Sequence, residues 1–183
     1  MRPATLSRGG VAISIVVPPR GTRGTELPLP VRTLMRFMQG PFHFAFQRFG
    51  DRMRIQGRPL LMLETVGGKT GAMRHAVVGS FPDTTGADTA RASSDVERWL
   101  VVASNAGSAR NPAWFLNMAR HPDSVWIAKG TRRIKVRPET LSGAEREQAW
   151  KSITSLAPGY GPYEQKTDRV IPLIRLTAVG DKD

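Results

Sequence analysis

Cysteine is absent from all 183 residues of the chain, which excludes disulfide bonds, thiol catalysis and thiolate metal sites together. The three histidines, His43, His75 and His121, lack the spacing of metal ligands, so we predict no metal site. No apolar run approaches the roughly 18 to 20 residues that a membrane-spanning helix requires. With 40% hydrophobic and 23% charged residues, the chain has the composition of a globular protein with one packed core.

Acidic residues are also few, and their shortage is greatest near the N-terminus. The chain has 15 acidic residues against 27 lysines and arginines, which gives a net charge of +12. Residues 1–60 alone contain ten arginines and two acidic residues and so carry +8. Such asymmetry is typical of a segment that faces a polyanion or an anionic membrane, and a solvated basic tail is the alternative.

The first 30 residues mix proline, glycine, threonine and arginine without hydrophobic periodicity. We therefore predict a flexible basic arm over residues 1–30, dispensable for folding, and a folded domain over residues 31–183. The apolar stretch at residues 11–17 is followed by two prolines and an arginine rather than by a cleavage site, so we expect a cytoplasmic protein. The arm and the Met- and Phe-rich residues 31–49 leave open a peripheral association with an anionic membrane at the cytoplasmic face.

Hydrophobic patterning along the rest of the chain predicts strands that come in hairpins, separated by glycine-rich or polar turns. The predicted strands cover residues 58–66, 73–81, 98–104, 124–128, 131–137 and 171–179. Helical spacing predicts helices at 31–40 and 42–49, a third that begins with Asn111 as its cap and Pro112 in its first turn, and a fourth that begins with a Ser142/Glu145 capping box.

This order of elements lacks the β-α-β alternation with a Gly-x-Gly-x-x-Gly turn that a Rossmann domain requires. Hairpins with short helices between them fit an antiparallel barrel, closed or half closed, with flanking helices. We therefore predict a mainly β fold with flanking helices, in the α+β class.

The glycine-rich turn of residues 65–74 is the first candidate site. Its glycines allow backbone N–H groups to point into one concavity, and Lys69, Thr70 and Arg74 add donors suited to a phosphate or a carboxylate. The spacing differs from that of a Walker A loop. An ordinary hairpin turn with solvated cations is the alternative.

The second candidate is the segment of residues 101–114, where a buried strand passes through small polar residues into a helix. Small side chains allow a flat ring to lie against the backbone, and a helix N-terminus favours negative charge. Tyr160 and Tyr163, ahead of Thr167-Asp168-Arg169, form the third candidate, because tyrosine can wall a pocket and lend a proton. The alternative for the second candidate is an ordinary strand-loop-helix connection, and the alternative for the two tyrosines is simple packing.

Together these segments, from about residue 58 to residue 179, resemble the deazaflavin (F420)-dependent nitroreductase family. Proteins of this family are split β-barrels, similar in fold to FMN-binding pyridoxamine oxidases. The family pattern has a Thr-x-Gly-x-Lys-Ser/Thr-Gly-x-x-Arg turn, a Val-Val-Ala-Ser strand end before Asn-Pro-x-Trp, and a late Tyr-x-x-Tyr before Thr-Asp-Arg and Ile-Pro, and all of these are present here. Three motifs in the right order are much more specific than any one of them.

The resemblance implies an F420-dependent oxidoreductase that transfers a hydride from the reduced coenzyme to an electron-poor acceptor, which is a quinone, an enone or a nitro compound. It assigns the coenzyme's phosphate and acidic tail to Lys69, Thr70, Gly71 and Arg74. It assigns the deazaflavin ring to Ala103, Ser104, Asn105 and Gly107, flanked by Arg110, Asn111, Pro112 and Trp114. The catalytic candidates are Ser104 with Tyr160 and Tyr163, the two tyrosines lining the acceptor pocket.

Two departures from the family pattern are Gly68, where an arginine is usual, and Ala157, where an aromatic residue is frequent. We expect the first to remove a phosphate contact and the second to open the acceptor pocket. The alternatives are FMN in place of F420, a non-catalytic F420- or flavin-binding protein, and a protein that binds a nucleic acid or a membrane surface. The four tryptophans fall in predicted strands and helices, which favours core packing and argues against nucleic acid as a partner. Both a monomer and a homodimer fit the sequence.

Overall fold

The computed structural model of the chain describes residues 15–26, 46, 54–55, 58–83, 96–129 and 132–180. The helices predicted at residues 31–40 and 42–49 lie outside this range except for Phe46, which is helical and fully buried. The boundary predicted at residue 31 between arm and domain stays a prediction. Within the described part of the chain, no helix is long and apolar enough to cross a bilayer.

Seven strands make up the sheet of the described residues: β1 (Arg54–Ile55), β2 (Arg58–Val66), β3 (Met73–Pro82), β4 (Arg98–Val102), β5 (Val125–Lys129), β6 (Arg132–Thr140) and β7 (Leu173–Ala178). All neighbours are antiparallel, in the order β1-β2-β3-β4-β7-β6-β5. Strand β2 also pairs with β5, so that Leu63 lies opposite both Ala76 and Ile127. This second pairing closes six strands into a barrel, which confirms the predicted fold class.

Alternating residues of the strands fill the barrel, as the two-residue period of a strand requires. Leu61 and Leu63 of β2 point into the same buried cluster as Val101 of β4 and Ile174 of β7. The intervening residues Leu60 and Met62 are buried on the outer face, against Phe46. Strand β2 is therefore covered on both faces, which explains its unbroken apolar run.

Three helices flank the barrel in the described residues: α1 (Ala113–Arg120), α2 (Gly143–Leu156) and α3 (Gly161–Lys166). Helix α1 adds Phe115 and Met118 to the cluster inside the barrel. Helix α2 places Trp150 and Ile153 on the outer face of the strands, where they cover Leu173 of β7. The sequence predicted α1 and α2 but not α3.

The two predicted side-chain caps are wrong, although both helices begin close to the predicted positions. Pro112 is the cap residue of α1, and the Asn111 side chain bonds instead to the carbonyl oxygen of Pro18 and to Arg169. Ser142 is the cap residue of α2, but its side chain makes no capping bond. Contacts with distant parts of the chain have taken the polar groups that a local reading assigns to the helix ends.

Glu145 of the predicted capping box belongs to a buried ion-pair cluster on the outer face of β7. Its carboxylate pairs with Arg175, which also pairs with Asp83 and, at 3.4 Å, with Glu139. Burial lowers the pKa of Arg175, but hydrogen bonds and charge attraction from Asp83 and Glu145 outweigh it and leave the pKa above its ordinary value. The cluster therefore holds the start of α2 against the barrel.

Candidate functional site

A cavity of about 1120 Å³ lies between the turn after β2, the loop after β4 and the first turns of α1. Residues 75–79 of β3 form one wall, and they include the apolar side chains of Ala76, Val77 and Val78. The turn contributes residues 67–70, and the loop contributes residues 104–106 and 108–112. The barrel therefore brings the glycine turn and the segment after β4, which are far apart in sequence, to one cavity.

Most of the predicted site residues line this cavity: Lys69, Thr70, Arg74, Ser104, Asn105, Arg110, Asn111, Pro112, Trp114 and Tyr160. Four do not appear among its described lining residues: Gly71, Ala103, Gly107 and Tyr163. Gly71 shapes the turn with a φ of +67°, and Gly107 is buried at a φ of +77°. Gly71 and Gly107 therefore contribute to the site through their backbone conformation, because glycine adopts a positive φ without strain.

The glycine turn satisfies most of its own backbone donors. The N–H of Gly67 donates to Ala72, and the N–H of Gly71 donates back to Gly67, both at 2.8 Å. The N–H of Gly68 donates to the side-chain oxygen of Asn117 on α1, at 3.2 Å. Because these donors are occupied, the expected cradle of backbone N–H groups is largely closed. Binding of an anion at this turn would depend on its side chains.

Arg120, at the end of α1, occupies the space beside Gly68. A Cβ atom at position 68 would overlap Nη1 of Arg120 and would lie 2.7 Å from its Cδ. A side chain at position 68 would therefore require Arg120 to move, and in this chain a guanidinium from another element stands there. Arg120 was not among the predicted site residues, since nothing near it in the chain signals this contact.

The loop after β4 has an unusual backbone. Asn105 and Ala106 have positive φ values of 48° and 55°, and Gly107 follows with 77°. Asparagine tolerates this left-handed region, whereas alanine adopts it at a cost of roughly 1 to 2 kcal/mol. Surrounding contacts must therefore hold the loop in this conformation.

Arg169 supplies those contacts from behind the loop. Its guanidinium donates to the carbonyl oxygens of Ala103 (3.2 Å), Ser104 (3.0 Å) and Ser108 (3.3 Å) and to the side-chain oxygen of Asn111 (2.8 Å). The residue is only 4% exposed, and this burial lowers its pKa. Arg169 is thus a buried cation that holds the loop through oxygen acceptors. The sequence analysis quoted it in a motif but gave it no role.

Tyr160, which comes just before α3, also lines the cavity. Its ring contacts Phe81 and Tyr163 edge-on, with both ring centroids 5.5 Å away. Tyr163 packs behind it, outside the described lining of the cavity. Ala157 is 2% exposed and lies in the same outer cluster, and the expectation that it opens the acceptor pocket stays a prediction.

Residues 15–26, which we call the strap, lie against the loop after β4. The N–H of Gly21 donates to Ala109 and that of Thr25 donates to Gly107, both at 2.9 Å. The carbonyl oxygen of Arg23 accepts a bond from the Thr167 hydroxyl at 3.0 Å. The strap therefore makes specific hydrogen bonds to the loop, while the extent of the predicted arm over residues 1–30 and its dispensability stay predictions.

Asp168 is the anchor of the strap. The hydroxyl of Thr22 and the backbone N–H groups of Arg23 and Thr22 donate to its carboxylate and lower its pKa from 3.8 to about 2. Since the folded pKa is lowered, the contribution of Asp168 is complete above the ordinary pKa near 3.8 and is lost as the pH falls through about 2. We expect a carboxyl titration by NMR to give this value for Asp168, with the amide signals of Thr22 and Arg23 moving in parallel. An unshifted Asp168 with stationary amide signals would show that the strap is not anchored there.

Charge in the cavity has one dominant sign. Five basic side chains line it, from Arg20, Lys69, Arg74, Arg110 and Arg120, and Glu26 is the single carboxylate among the described lining residues. Positively charged side chains in a cavity with low-dielectric walls attract an anionic ligand. The combination of this charge with the apolar side chains of β3 suits a ligand that has a flat ring and an acidic tail.

The sequence model of the F420H(2)-dependent quinone reductase family matches residues 45–178. The chain belongs to this family. An F420H(2)-dependent quinone reductase of Mycobacterium tuberculosis (strain H37Rv) is 34% identical over 128 residues, which cover 68% of this chain and 77% of the relative. A solved F420-H2 dependent reductase, FDR-A, is 26% identical with a TM-score of 0.52, covering 68% of this chain and 98% of its own.

A second solved chain, described as a domain-swapped dimer, is similar in fold, with 24% identity and a TM-score of 0.54 over 80% of this chain and 98% of that one. Family membership confirms the F420-dependent family that the sequence motifs implied. The solved reductase and the closed barrel together confirm the predicted split-barrel fold.

Proposed function

We propose that this member of the family takes up F420H2 in the cavity beside β3 and reduces a quinone or another electron-poor organic acceptor. The family supports F420 as the coenzyme and reduction as the reaction. The observation that carries the proposal is the composition of the cavity, where five basic side chains and one carboxylate surround an apolar wall. A coenzyme with a flat ring, a phosphate and an acidic tail matches both parts of this lining.

The lining residues suggest separate roles for the turn with α1 and for the loop after β4. Lys69 and Arg74 from the turn and Arg120 from α1 would hold the phosphate and acidic tail. Ser104 and Asn105, from the loop after β4, would hold the ring against the wall of β3. These assignments agree with the family motifs, and Arg120 is the addition that the structure suggests.

Bound F420H2 supplies a hydride, and reduction of a quinone to a hydroquinone needs a proton as well. Of the hydroxyl-bearing residues that line the cavity, Ser104 and Tyr160 are our candidates for interaction with the acceptor. Ser104, 9% exposed just after β4, would donate a hydrogen bond to the acceptor oxygen on which negative charge develops. Tyr160 would donate the proton directly or through water, with its ring held by Phe81 and Tyr163.

Replacement of Tyr160 by phenylalanine tests the proton-donor role. We expect Tyr160→Phe to lower turnover at least about tenfold at saturating quinone, since help from a general acid is typically about 100-fold. The affinity for F420 should stay within about twofold, because the ring and its edge contacts remain. Phe81→Leu is the control for altered packing, and equal turnover in Tyr160→Phe and the wild type would reduce Tyr160 to a wall of the pocket.

The proposed reaction itself is tested with purified protein, F420H2 and a panel of a quinone, an enone and a nitro compound. We expect the absorbance of oxidised F420 to appear only when protein and acceptor are both present. Binding of F420 without oxidation by any acceptor would make the chain a coenzyme carrier instead of an enzyme. A preference for FMN over F420 in the same titration would overturn the coenzyme assignment.

The location of the protein and its contact with an anionic membrane stay predictions from the sequence. The Met- and Phe-rich segment on which the membrane contact rests, residues 31–49, falls outside the described residues except for Phe46. Sedimentation of the full chain with anionic and with neutral vesicles would test that contact directly.

A further inference from the structure

The strap, residues 15–26, lies before the family-matched residues 45–178, yet it lines the cavity. Arg20, Thr25 and Glu26 of the strap are lining residues. Everything else in the described lining comes from residues 67–160, inside the matched region. One wall of the cavity is therefore built by a part of the chain that the family pattern does not include.

The position of this wall is set at two points of the backbone. Gly21 and Thr25 donate hydrogen bonds of 2.9 Å to Ala109 and Gly107, which belong to the loop that Arg169 holds from behind. Arg20 and Glu26 are the immediate neighbours of these two bonded residues. Their backbone positions are consequently fixed beside the loop.

Gly24 permits the close approach between these two points. A Cβ atom at position 24 would overlap the backbone nitrogen of Ala109 and would lie 2.6 Å from the carbonyl carbon of Ser108. Both are backbone atoms of the loop, so no side-chain rotation could relieve the overlap. Any larger residue at position 24 would push the strap off the loop.

We propose that the strap is a permanent wall of the coenzyme site and that Arg20 is an anion-binding residue of this chain, supplied from outside the family's barrel. The proposal rests on the proposed function, because the anion would be the phosphate or acidic tail of F420. Arg20 is exposed, lines the cavity and follows Pro18 and Pro19, which restrict the backbone ahead of it. Because the backbone at Arg20 is already held beside the loop, binding of an anion has to order only the side chain.

The first test removes the cation and leaves the strap in place. Arg20→Ala should weaken F420 binding about tenfold in a fluorescence titration, the usual effect of one charge-assisted bond. Arg23→Ala is the matched control, since it removes the same charge from the same strap and its side chain is exposed and outside the cavity lining. We expect Arg23→Ala to weaken F420 binding by less than about twofold. Equal weakening in both variants would show a general charge effect and overturn the role of Arg20.

The second test moves the strap. Gly24→Ala should weaken F420 binding and speed tryptic cleavage after Arg20 and Arg23, with the cut sites identified by mass spectrometry. Gly180→Ala is its control, because a Cβ atom there meets nothing within 4 Å. Unchanged cleavage and unchanged F420 binding in Gly24→Ala would overturn the proposal.

The two proposals fail in different ways. If the wild-type chain bound no F420, the proposed function and the coenzyme contact of Arg20 would both be wrong, whereas cleavage of the strap would still decide whether it is a fixed wall. If the wild type bound F420 and Arg20→Ala matched Arg23→Ala, the proposed function would stand and the role of Arg20 would be wrong.

Discussion

The double variant Lys69→Ala/Arg74→Ala should bind F420 at least about 100-fold more weakly than the wild-type chain. Each charge-assisted hydrogen bond to a phosphate or carboxylate contributes roughly 1.5 to 3 kcal/mol, and each tenfold change in affinity corresponds to about 1.4 kcal/mol. The N–H groups of the three glycines in the turn are used within the fold, so they cannot replace the lost side chains. A fluorescence titration of the coenzyme measures the effect.

A matched control separates local contacts from net charge. Arg137→Ala/Lys151→Ala removes two exposed cations from strand β6 and helix α2, outside the cavity lining. We expect its affinity to change by less than about threefold, because exposed charges at a distance are screened by salt. Added salt should also weaken binding to the wild type more than binding to the Lys69/Arg74 variant. An affinity of the Lys69/Arg74 variant equal to that of the control would place the coenzyme tail elsewhere.

Arg169→Met should lower the free energy of unfolding by about 3 to 5 kcal/mol and should also abolish tight F420 binding. Its shorter hydrogen bonds, to Asn111 and Ser104, are worth roughly 1.5 to 3 kcal/mol each because the donor is charged. Without them the left-handed backbone at Asn105 and Ala106 keeps, in the described structure, only the bonds within the loop and those from the strap. Chemical denaturation gives the stability, and a titration with F420 under conditions where the variant is folded gives the binding.

Arg175→Met is the control that makes the Arg169 result specific. It also removes a buried arginine, and breaking its ion pairs should destabilise the fold by about 3 to 5 kcal/mol. Arg175 faces Asp83 and Glu145 on the outer face of β7, outside the cavity lining, so F420 binding should persist. Loss of binding in both variants would mean that lower stability alone explains the Arg169 effect.

The barrel was predictable because its strands carry their own pattern. Residues 58–66 are predicted and found as one strand, and so are most residues of the other strands of the barrel. The cavity was partly predictable for another reason. The turn, the loop after β4 and Tyr160 belong to one family pattern, and the structure brings residues from all three to one cavity.

Features that depend on distant contacts escaped the sequence analysis. Asn111 and Ser142 have the residue types of helix caps, but Arg169 and Pro18 take the side chain of Asn111, and Glu145 is drawn to Arg175. Helix α3 has only six residues and shows no hydrophobic period of its own. No window of the sequence contains these partners together.

The strap and Arg120 show the same limit for the candidate site. The proline, glycine and arginine content of residues 15–26 predicts flexibility. The hydrogen bonds that hold the strap are invisible in this composition, since they are made by backbone groups and by the distant residues 107–109 and 167–168. Arg120 lies beside Gly68, 52 positions earlier in the chain, and contacts it only after α1 has packed on the barrel. Residues so far apart in the chain are recognised as contacts only in the folded structure.

The anchoring of the strap at Asp168 has a consequence for the order in which the protein is made. Thr22 is 146 residues away from Asp168 in the chain, so the strap leaves the ribosome long before its anchor exists. Domains generally fold as units during synthesis, and contacts of this separation close late because of their loop entropy. The strap is therefore among the last parts of the chain to reach its place, because a nascent chain that ends before Asp168 lacks both the anchor of the strap and strand β7, which the closed barrel requires.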